Sequence, residues 1–336
     1  MKTRLRVLGT ALAVLALSLA TTLSQATADT THHRPATEGF HVSDGRLLDA
    51  NGNDFVMRGV NHPHTWYPDQ TQSLSDIKSL GANTVRVVLS SGHQWTRDDT
   101  ADVAEVVADC KRNRLICVLE VHDTTGYGDQ GGRAATLDQA VDYWLSVREA
   151  LRDQEEYVIV NIGNEPFGNS THSQWTSATS EAIQRLRSAG FEHTLMVDAP
   201  NWGQDWRYTM RDDAASVFAD DPLGNTVFSV HMYGVFDSGD AVRDYLRHFV
   251  EAGLPLVVGE FGHKHSDGDV AEDAILAAAE SFGIGYLGWS WSGNSGGVEY
   301  LDMTEDFDPT RLTPWGQRLF NGENGIRETS REASVY

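Results

Sequence analysis

Two glutamates that follow apolar segments are the residues best suited to catalysis. Glu165 follows the apolar segment 157–162 within an Asn-Glu-Pro motif, and Glu260 follows the apolar segment 255–258 within Gly-Glu-Phe. A half-buried carboxylate is costly to keep unless a partner or a reaction requires it. Two facing carboxylates can cleave a glycosidic bond, because one protonates the leaving oxygen while the other attacks or activates water. The alternative is that one of them is a structural ion-pair partner of Arg86.

Six tryptophans near the same parts of the sequence suggest a binding surface for a flat, neutral ligand. Sugar rings present flat C–H faces that pack on aromatic rings, so a polysaccharide cleft needs several such side chains. Trp202 and Trp206 fall in a polar loop, which favours a ligand contact, whereas Trp144 lies in a predicted helix, which favours core packing. The six candidates are Trp66, Trp95, Trp202, Trp206, Trp289 and Trp291.

Eight short apolar segments, each followed by a polar turn, predict eight β-strands. Most of them are β-branched and apolar throughout, which is typical of parallel strands covered on both faces. The catalytic candidates stand at or near the ends of these strands. The predicted strands span 55–61, 84–90, 115–122, 157–164, 194–199, 226–233, 255–261 and 284–292.

Amphipathic segments between the strands predict helices, such as one around 103–110 and one over 136–152 that opens with a capping box, while 202–219 is less regular. Eight strand–helix units predict an α/β fold, a (β/α)8 TIM barrel, whose active site lies at the C-terminal ends of the strands. A doubly wound sheet would carry a Gly-rich phosphate loop, which the sequence lacks. Turn residues at 44–45 and 51–52 predict an N-terminal β-hairpin that covers the barrel bottom.

The chain divides into one catalytic domain and short terminal segments. Residues 1–28 combine a basic start, a short apolar stretch and an Ala-Thr-Ala motif, which is typical of a cleaved signal peptide. Residues 29–38 are polar and predict a flexible leader, 39–322 form the predicted barrel, and 323–336 are predicted to be a C-terminal tail. We therefore expect a secreted, extracellular protein.

The composition narrows the range of partners. The 336 residues are 40% hydrophobic and carry a formal net charge of −22. A chain with this excess of acidic residues lacks the basic surface that binding to nucleic acid or an anionic membrane requires. The negative net charge favours solubility. Export permits a disulfide between Cys110 and Cys117, the only two cysteines, and a pair of buried thiols is the alternative.

Seven motifs spread over about residues 40–320 resemble glycoside hydrolase family 5, and most closely its secreted bacterial endo-β-1,4-mannanases. The resemblance implies a TIM barrel, a retaining double displacement and a monomeric enzyme without a cofactor. It also implies a neutral plant polysaccharide as substrate, namely mannan, glucomannan or galactomannan. The motifs are GVNHPHTWYP (59–68), NTVRVV (83–88), EVHDTTGYG (120–128), IGNEPFGN (162–169), HMY (231–233), VVGEFGHKH (257–265) and GWSWSGN (288–294).

The resemblance assigns catalytic roles to individual residues. Glu165 matches the general acid/base and Glu260 matches the nucleophile. Asn164 would bond the 2-hydroxyl of the sugar in the −1 subsite. Arg86 and Tyr233 would hold Glu260 ionised and oriented by donating hydrogen bonds.

The resemblance also implies the walls of the −1 subsite. His122 and His231 would line it, with His231 near the acid/base, and Trp289 would be the stacking platform for the sugar. Aromatic residues in the loops would extend the cleft to more distant sugars. These further candidates are Trp66, Trp202 and Trp291.

Other functions are compatible with parts of the sequence. A β-1,4-endoglucanase of the same family would act on glucose units, which differ from mannose units at the 2-hydroxyl. The loops that contact this hydroxyl cannot be located from the sequence. A metal-dependent hydrolase could use His62, His64 and His231, but that scheme also needs a His after the fifth strand and an Asp after the eighth, and neither is present. A non-catalytic sugar-binding barrel is the third alternative.

Two acidic runs raise the question of calcium, although we expect no catalytic metal. Hard oxygen ligands of this kind can hold a structural Ca²⁺ ion, but neither run has the spacing of a known calcium loop. A solvated acidic surface is the alternative. The runs are Asp267, Asp269, Glu272 and Asp273, and Asp302, Glu305, Asp306 and Asp308.

Overall fold

A closed barrel of eight parallel strands forms the centre of the computed structural model, which describes residues 39–336. The strands follow one another in chain order and the last pairs with the first, which confirms the predicted TIM barrel. Two hairpins lie outside the barrel, one of β1 (His41–Ser43) and β2 (Arg46–Leu48), and one of β10 (Lys264–His265) and β11 (Gly268–Asp269). The barrel strands are β3 (Arg58–His62), β4 (Thr84–Leu89), β5 (Ile116–Val121), β6 (Val158–Asn161), β7 (Leu195–Asp198), β8 (Thr226–Met232), β9 (Leu256–Phe261) and β12 (Gly285–Gly288).

Helices cover the outside of the barrel and follow the predicted pattern. The capping box at Thr136 is present, because its hydroxyl accepts from the Gln139 backbone and the Gln139 side chain accepts in return. In the irregular segment 202–219, residues 202–208 form a loop, and the helix begins only at residue 209. The helices are α1 (Ser73–Ser79), α2 (Thr100–Arg112), α3 (Leu137–Leu151), α4 (Trp175–Ser188), α5 (Thr209–Asp220), α6 (Gly239–Ala252), α7 (Glu272–Phe282), α8 (Pro314–Asn321) and α9 (Ile326–Thr329).

Every barrel strand is buried along its whole length. This explains why apolar residues dominate their sequences and do not alternate regularly with polar ones. Within the part of the chain that the structure describes, no helix is long and apolar enough to cross a membrane. The predicted signal peptide (1–28) and leader (29–38) lie outside the described residues.

Both ends of the described chain pack at the bottom of the barrel. Val42 and Leu47 of the predicted hairpin pack on a buried apolar cluster beneath the strands. The prediction of a C-terminal tail over 323–336 differs from the structure, because this segment forms α9 and also packs there. Ala333 belongs to the same cluster, and the Tyr336 hydroxyl donates to the Leu115 carbonyl at 3.0 Å. The tail therefore completes the lower closure of the barrel.

A disulfide joins α2 to β5, which settles the open question about the cysteines. Cys110 and Cys117 are fully buried, and their Cα atoms are 5.8 Å apart, within the range of a disulfide. The bridge spans a sequence separation of 7 residues. It ties the end of α2 to the strand that follows, within the main hydrophobic core.

We expect reduction of this disulfide to lower the free energy of unfolding by about 2.5 kcal/mol, because the open chain regains the entropy of a short loop. Chemical denaturation with and without a reducing agent measures the effect. The Cys110→Ala/Cys117→Ala variant is the control, since its unfolding curve should not respond to the reductant. An unchanged curve for the native protein would contradict a stabilising bridge.

Candidate active site

The C-terminal end of the barrel brings the two glutamates together. Glu165 lies in the loop after β6, and Glu260 lies near the end of β9. Between them, Nδ1 of His231 in β8 lies 2.8 Å from Glu165 Oε1 and 3.5 Å from Glu260 Oε2. One nitrogen or oxygen atom from each of the three residues lies within 4.8 Å of the other two. The two carboxylates therefore belong to one site.

Arg86 lies beneath this pair, fully buried within β4. A buried guanidinium needs an acceptor for each donor, and neighbouring strands and loops provide them. Three amide oxygens and two carboxylates surround the guanidinium, so the barrel interior holds it in one orientation. The acceptors are Asn61 (2.9 Å), Asn161 (2.8 Å), Asn164 (2.7 Å), Asp198 (3.0 Å) and Glu260 (2.7 Å).

Three buried carboxylates compensate the charge of Arg86. Burial alone would lower the pKa of the guanidinium, but Glu120, Asp198 and Glu260 outweigh that effect and raise it. Burial would raise the pKa of Asp198, but the cations His231 and Arg86 overcome it and lower this pKa below its usual value. The centre of the site is thus a network of ion pairs.

Each oxygen of Glu260 has its own donor. Arg86 Nη1 donates to Oε1 at 2.7 Å, and the Tyr233 hydroxyl donates to Oε2 at 2.9 Å. Burial raises the pKa of the Glu260 carboxyl, while His231 and Arg86 act against the rise and Glu165 adds to it. Burial and the charge of Glu260 also raise the pKa of Tyr233 well above its usual value, so that its hydroxyl remains a donor. The carboxylate is therefore fixed in position.

Glu165 is held in an unusual backbone conformation. Its φ of +40° lies in the left-handed region, which is strained for a residue with a side chain. Its carboxylate accepts from His231, which is fully buried. Burial would lower the pKa of His231, but the charges of Glu260 and Asp198 outweigh it and raise the pKa to about 10. His231 is therefore a cation at neutral pH.

A second histidine and two tryptophans form the opposite wall of the site. His122 stacks on Trp289 with ring centroids 5.5 Å apart, and Trp66 meets the His122 ring edge-on at 5.1 Å. Nδ1 of His122 lies 2.8 Å from a carboxylate oxygen of Glu120, which is buried within β5. Burial would lower the pKa of His122, but Glu120 raises it overall. The wall is thus an aromatic surface backed by a buried charge.

A cleft of about 610 Å³ opens at the top of the barrel, and its lining includes His122, Asn164, Glu165, Tyr233, Glu260 and Trp289. Trp202 lies over Gly126, where a Cβ atom would meet the indole ring at 2.4 Å, and its Nε1 donates to Asp129 at 3.1 Å. Trp206 is 41% exposed, and its Nε1 donates to Asn169 at 2.8 Å. Both rings are therefore held at the cleft by polar anchors, and the Arg207 guanidinium lies over one face of Trp206, with its Cζ atom 4.3 Å from the ring centroid.

Comparison with known proteins identifies the family. The sequence profile of the cellulase family, glycosyl hydrolase family 5, matches residues 48–295. The chain belongs to glycoside hydrolase family 5. A mannan endo-1,4-β-mannosidase of Streptomyces lividans is 64% identical over 90% of this chain and 78% of its own length.

A solved β-mannanase structure shows the same fold. The mannotriose complex of the Thermomonospora fusca β-mannanase is 60% identical, covers 88% of this chain and 99% of its own chain, and superposes with a TM-score of 0.86. An endoglucanase A of Butyrivibrio fibrisolvens is more distant, with 26% identity over 89% of this chain and 71% of its own length. The similarity is therefore greater to the mannanases than to this endoglucanase.

His231 is fully buried and does not line the cleft as predicted, and a second family 5 prediction is wrong, because Trp291 does not line the cleft either. Its side chain is fully buried in the main core, and its ring meets Phe320 edge-on at 6.1 Å. Trp289, two residues earlier, is partly exposed and lines the cleft. The chain leaves the regular strand at residue 288, so the alternation that would place both rings on one side does not hold.

Sequence motifs gave no role to several residues of this family 5 site. Gln204 and Asp267 line the cleft and are joined by a 2.9 Å hydrogen bond, and His265 contacts Asp267 at 2.7 Å. Gln204 comes from the loop before α5, whereas His265 and Asp267 belong to the β10–β11 hairpin, so no short spacing relates Gln204 to the other two. Glu120 and Asp198 lie inside predicted strands, where an acidic residue in an apolar run was the one available signal.

The histidines considered for a metal-dependent hydrolase do not come together. His64 Nε2 is bonded to Asp102, and no potential metal-binding group within residues 39–336 combines His62, His64 and His231. Within the same range, His64 forms one such group with Asp98 and Asp102. The rival scheme therefore lacks its ligand set.

The acidic runs considered for calcium are bonded to protein donors. Asp302 accepts from Asn294, Arg311 pairs with Glu305 and Asp306, and Asp308 accepts from Thr310. In the other run, Asp267 pairs with His265, and Asp273 pairs with Arg318. A structural calcium ion stays a prediction, which a calcium-dependent melting temperature would test.

Proposed function

We propose that this chain is an endo-β-1,4-mannanase, which hydrolyses internal β-1,4-mannosidic bonds in mannan, glucomannan and galactomannan. The observation that carries the proposal is the pair of Glu165 and Glu260, whose oxygens approach within 4.8 Å at an aromatic-walled cleft. The 64% identity to a mannan endo-1,4-β-mannosidase supports mannan as the substrate class.

In the first step of the proposed mechanism, Glu260 attacks the anomeric carbon while Glu165 donates its proton to the departing oxygen. The bond from Glu260 to the sugar forms as the glycosidic bond breaks. Arg86 and Tyr233 hold one carboxylate oxygen each, so the nucleophile needs little reorganisation before it attacks. The imidazolium of His231 lies between the two side chains, where it stabilises the negative charge of Glu260 before the attack and the charge that develops on Glu165 as its proton leaves.

In the second step, Glu165, now ionised, accepts a proton from water, and the water oxygen attacks the anomeric carbon and releases Glu260. Two inversions at one carbon retain its configuration. The short distance between the carboxylates supports this route, because retaining enzymes place them about 5–5.5 Å apart and inverting enzymes about 6.5–9.5 Å. Proton NMR of the first products tests it, and products of inverted configuration would exclude it.

The sugar in the −1 subsite would bind between the charged floor and the aromatic wall. The side-chain oxygen of Asn164 already accepts from Arg86. The Asn164 Nδ2 group has two N–H donors, of which one donates to Thr125 at 2.8 Å, so the other is available to a sugar hydroxyl. We propose that the 2-hydroxyl takes this bond. Trp289 offers a ring face, and His122 stacked beside it offers a further donor.

A β-1,4-endoglucanase is the alternative, because the matching family profile also describes cellulases. Mannose and glucose differ in the configuration at the 2-hydroxyl, so the two activities compete for the same subsite. Product analysis on galactomannan, glucomannan and carboxymethylcellulose separates them. We expect oligosaccharides from both mannans, and hydrolysis confined to carboxymethylcellulose would refute the mannanase proposal.

We propose that the enzyme is secreted and acts as a monomer outside the cell. The support for secretion is the signal-like pattern of residues 1–28. A polymeric substrate cannot enter a cell, so an extracellular enzyme is consistent with it. N-terminal sequencing of the mature protein and its mass in solution test both points.

A further inference from the structure

We propose that Asp198 is a positioning residue for the acid/base Glu165, because one of its oxygens binds the Glu165 backbone and faces His231, which in turn binds the Glu165 carboxylate. This inference rests on the roles proposed above for Glu165 and Glu260. Asp198 is the last residue of β7, next to the strand that leads to Glu165. It would act through Glu165 and not on the sugar.

Asp198 has the contacts that this role requires. Its Oδ2 atom accepts from the Glu165 backbone N–H at 3.2 Å and lies 3.2 Å from His231 Nε2. The same atom accepts from Arg86 at 3.0 Å, while Oδ1 accepts from Asn161 at 3.0 Å. The side chain is 1% exposed, so its orientation is set by contacts within the protein and not by solvent.

The Glu165 backbone needs such support. Its left-handed conformation, with φ of +40°, persists only where the surroundings over-determine it. Asp198 accepts from its N–H group, and on the other side its carbonyl accepts from Gly126 at 2.9 Å. Loss of the first bond would free the backbone to relax, and the carboxyl group at its end would then move from its place beside the leaving oxygen.

The Glu165 side chain depends on Asp198 through His231. This ring lies between the two carboxylates, with Nδ1 2.8 Å from Glu165 and Nε2 3.2 Å from Asp198. A carboxylate on each side favours a doubly protonated ring, whose Nδ1 donates to Glu165 while Nε2 makes a charge contact with Asp198. Gly203 packs so closely on the ring that a Cβ atom would lie 2.6 Å from it, which limits other orientations.

Asp198 also contacts Arg86, so an effect on Glu260 is the competing explanation. The two explanations predict different kinetics. A displaced acid slows substrates whose leaving group needs a proton, whereas a displaced nucleophile slows every substrate. The test is therefore the ratio of kcat/KM values for mannopentaose and for 2,4-dinitrophenyl β-mannobioside, whose leaving group departs without a proton.

For Asp198→Asn we expect kcat/KM to fall about 100-fold on mannopentaose, as for a small misplacement of a reacting group. On the dinitrophenyl substrate we expect a fall of less than about threefold, since no proton transfer is needed. The ratio is independent of the folded fraction of the preparation. Should Asp198→Asn yield no folded enzyme, Asp198→Glu, which keeps the charge but displaces it, should change the ratio in the same direction.

Two controls make the outcome decisive. Asp221→Asn removes another buried carboxylate that is paired with an arginine, Arg187, and a backbone N–H, but far from the cleft, and it should leave the ratio unchanged. Glu165→Gln should show the largest change in ratio. If it shows none, the proposed roles of the glutamates fail. If Glu165→Gln changes the ratio and Asp198→Asn slows both substrates equally or neither, the inference on Asp198 is wrong.

Discussion

Replacement of Glu260 by glutamine should lower kcat/KM on mannan on the order of 10⁵-fold, which corresponds to about 7 kcal/mol of transition-state stabilisation. An amide cannot form the covalent bond to the anomeric carbon. The shape of the side chain is unchanged, since the amide oxygen can accept from Arg86 while the Tyr233 hydroxyl turns to accept from the amide NH2 group. The fold should stay intact, since the strand around residue 260 is buried by apolar packing. Reducing-sugar release and thermal unfolding measure the two properties.

Glu280→Gln is the matched control for this variant. Glu280 pairs with Arg58 on the outer side of the barrel, and its side chain is 44% exposed. It should keep full activity with a small loss of stability. If Glu260→Gln kept more than about a tenth of the activity, Glu260 would not be the nucleophile.

Replacement of Glu165 by alanine should lower kcat/KM on mannan about 10³- to 10⁴-fold, because general acid catalysis contributes a factor of this size. The loss should be much smaller on 2,4-dinitrophenyl β-mannobioside, whose leaving group needs no proton. On that substrate the glycosyl-enzyme should accumulate, because the base that activates water is missing as well. A burst of dinitrophenolate followed by slow turnover is the expected signal.

Azide then assigns the two glutamates independently. With Glu165→Ala, azide should attack the glycosyl-enzyme, displace Glu260 and give the β-mannosyl azide, because this anion needs no base. With Glu260→Ala, azide should attack from the vacated side and give the α-mannosyl azide. NMR of the products distinguishes the two anomers. The opposite assignment of anomers would exchange the roles of Glu165 and Glu260.

The barrel was predictable because its determinants are local. Each strand is a short apolar run, buried on both faces, and each helix repeats an apolar stripe, so the order of elements can be read along the chain. The position of Glu165 and Glu260 followed from that order, since strand ends meet at one end of such a barrel. The hairpin turn at 44–45 followed from its residues in the same way.

The contacts of the site were not predictable in this manner. The five acceptors of Arg86 come from four segments of the chain, around residues 61, 161–164, 198 and 260, and no spacing rule joins these segments. Trp289 and Trp291 look alike in the sequence, yet one lines the cleft and the other is core. The segment 323–336 is polar enough to be taken for a tail, although its last apolar residues pack under the barrel.

The sequence by itself determined the class of fold, the two carboxylates and the chemistry that they suit, because periodicity and residue type are properties of short segments. Only the tertiary structure decided the distance between the carboxylates, the charge of His231 and the neighbours of Asp198. These depend on side chains that are distant in sequence and close in space, and on a buried environment in which each charge acts on every other. The acid/base chemistry of this family 5 enzyme therefore resides in the packing around Arg86 as much as in the two glutamates.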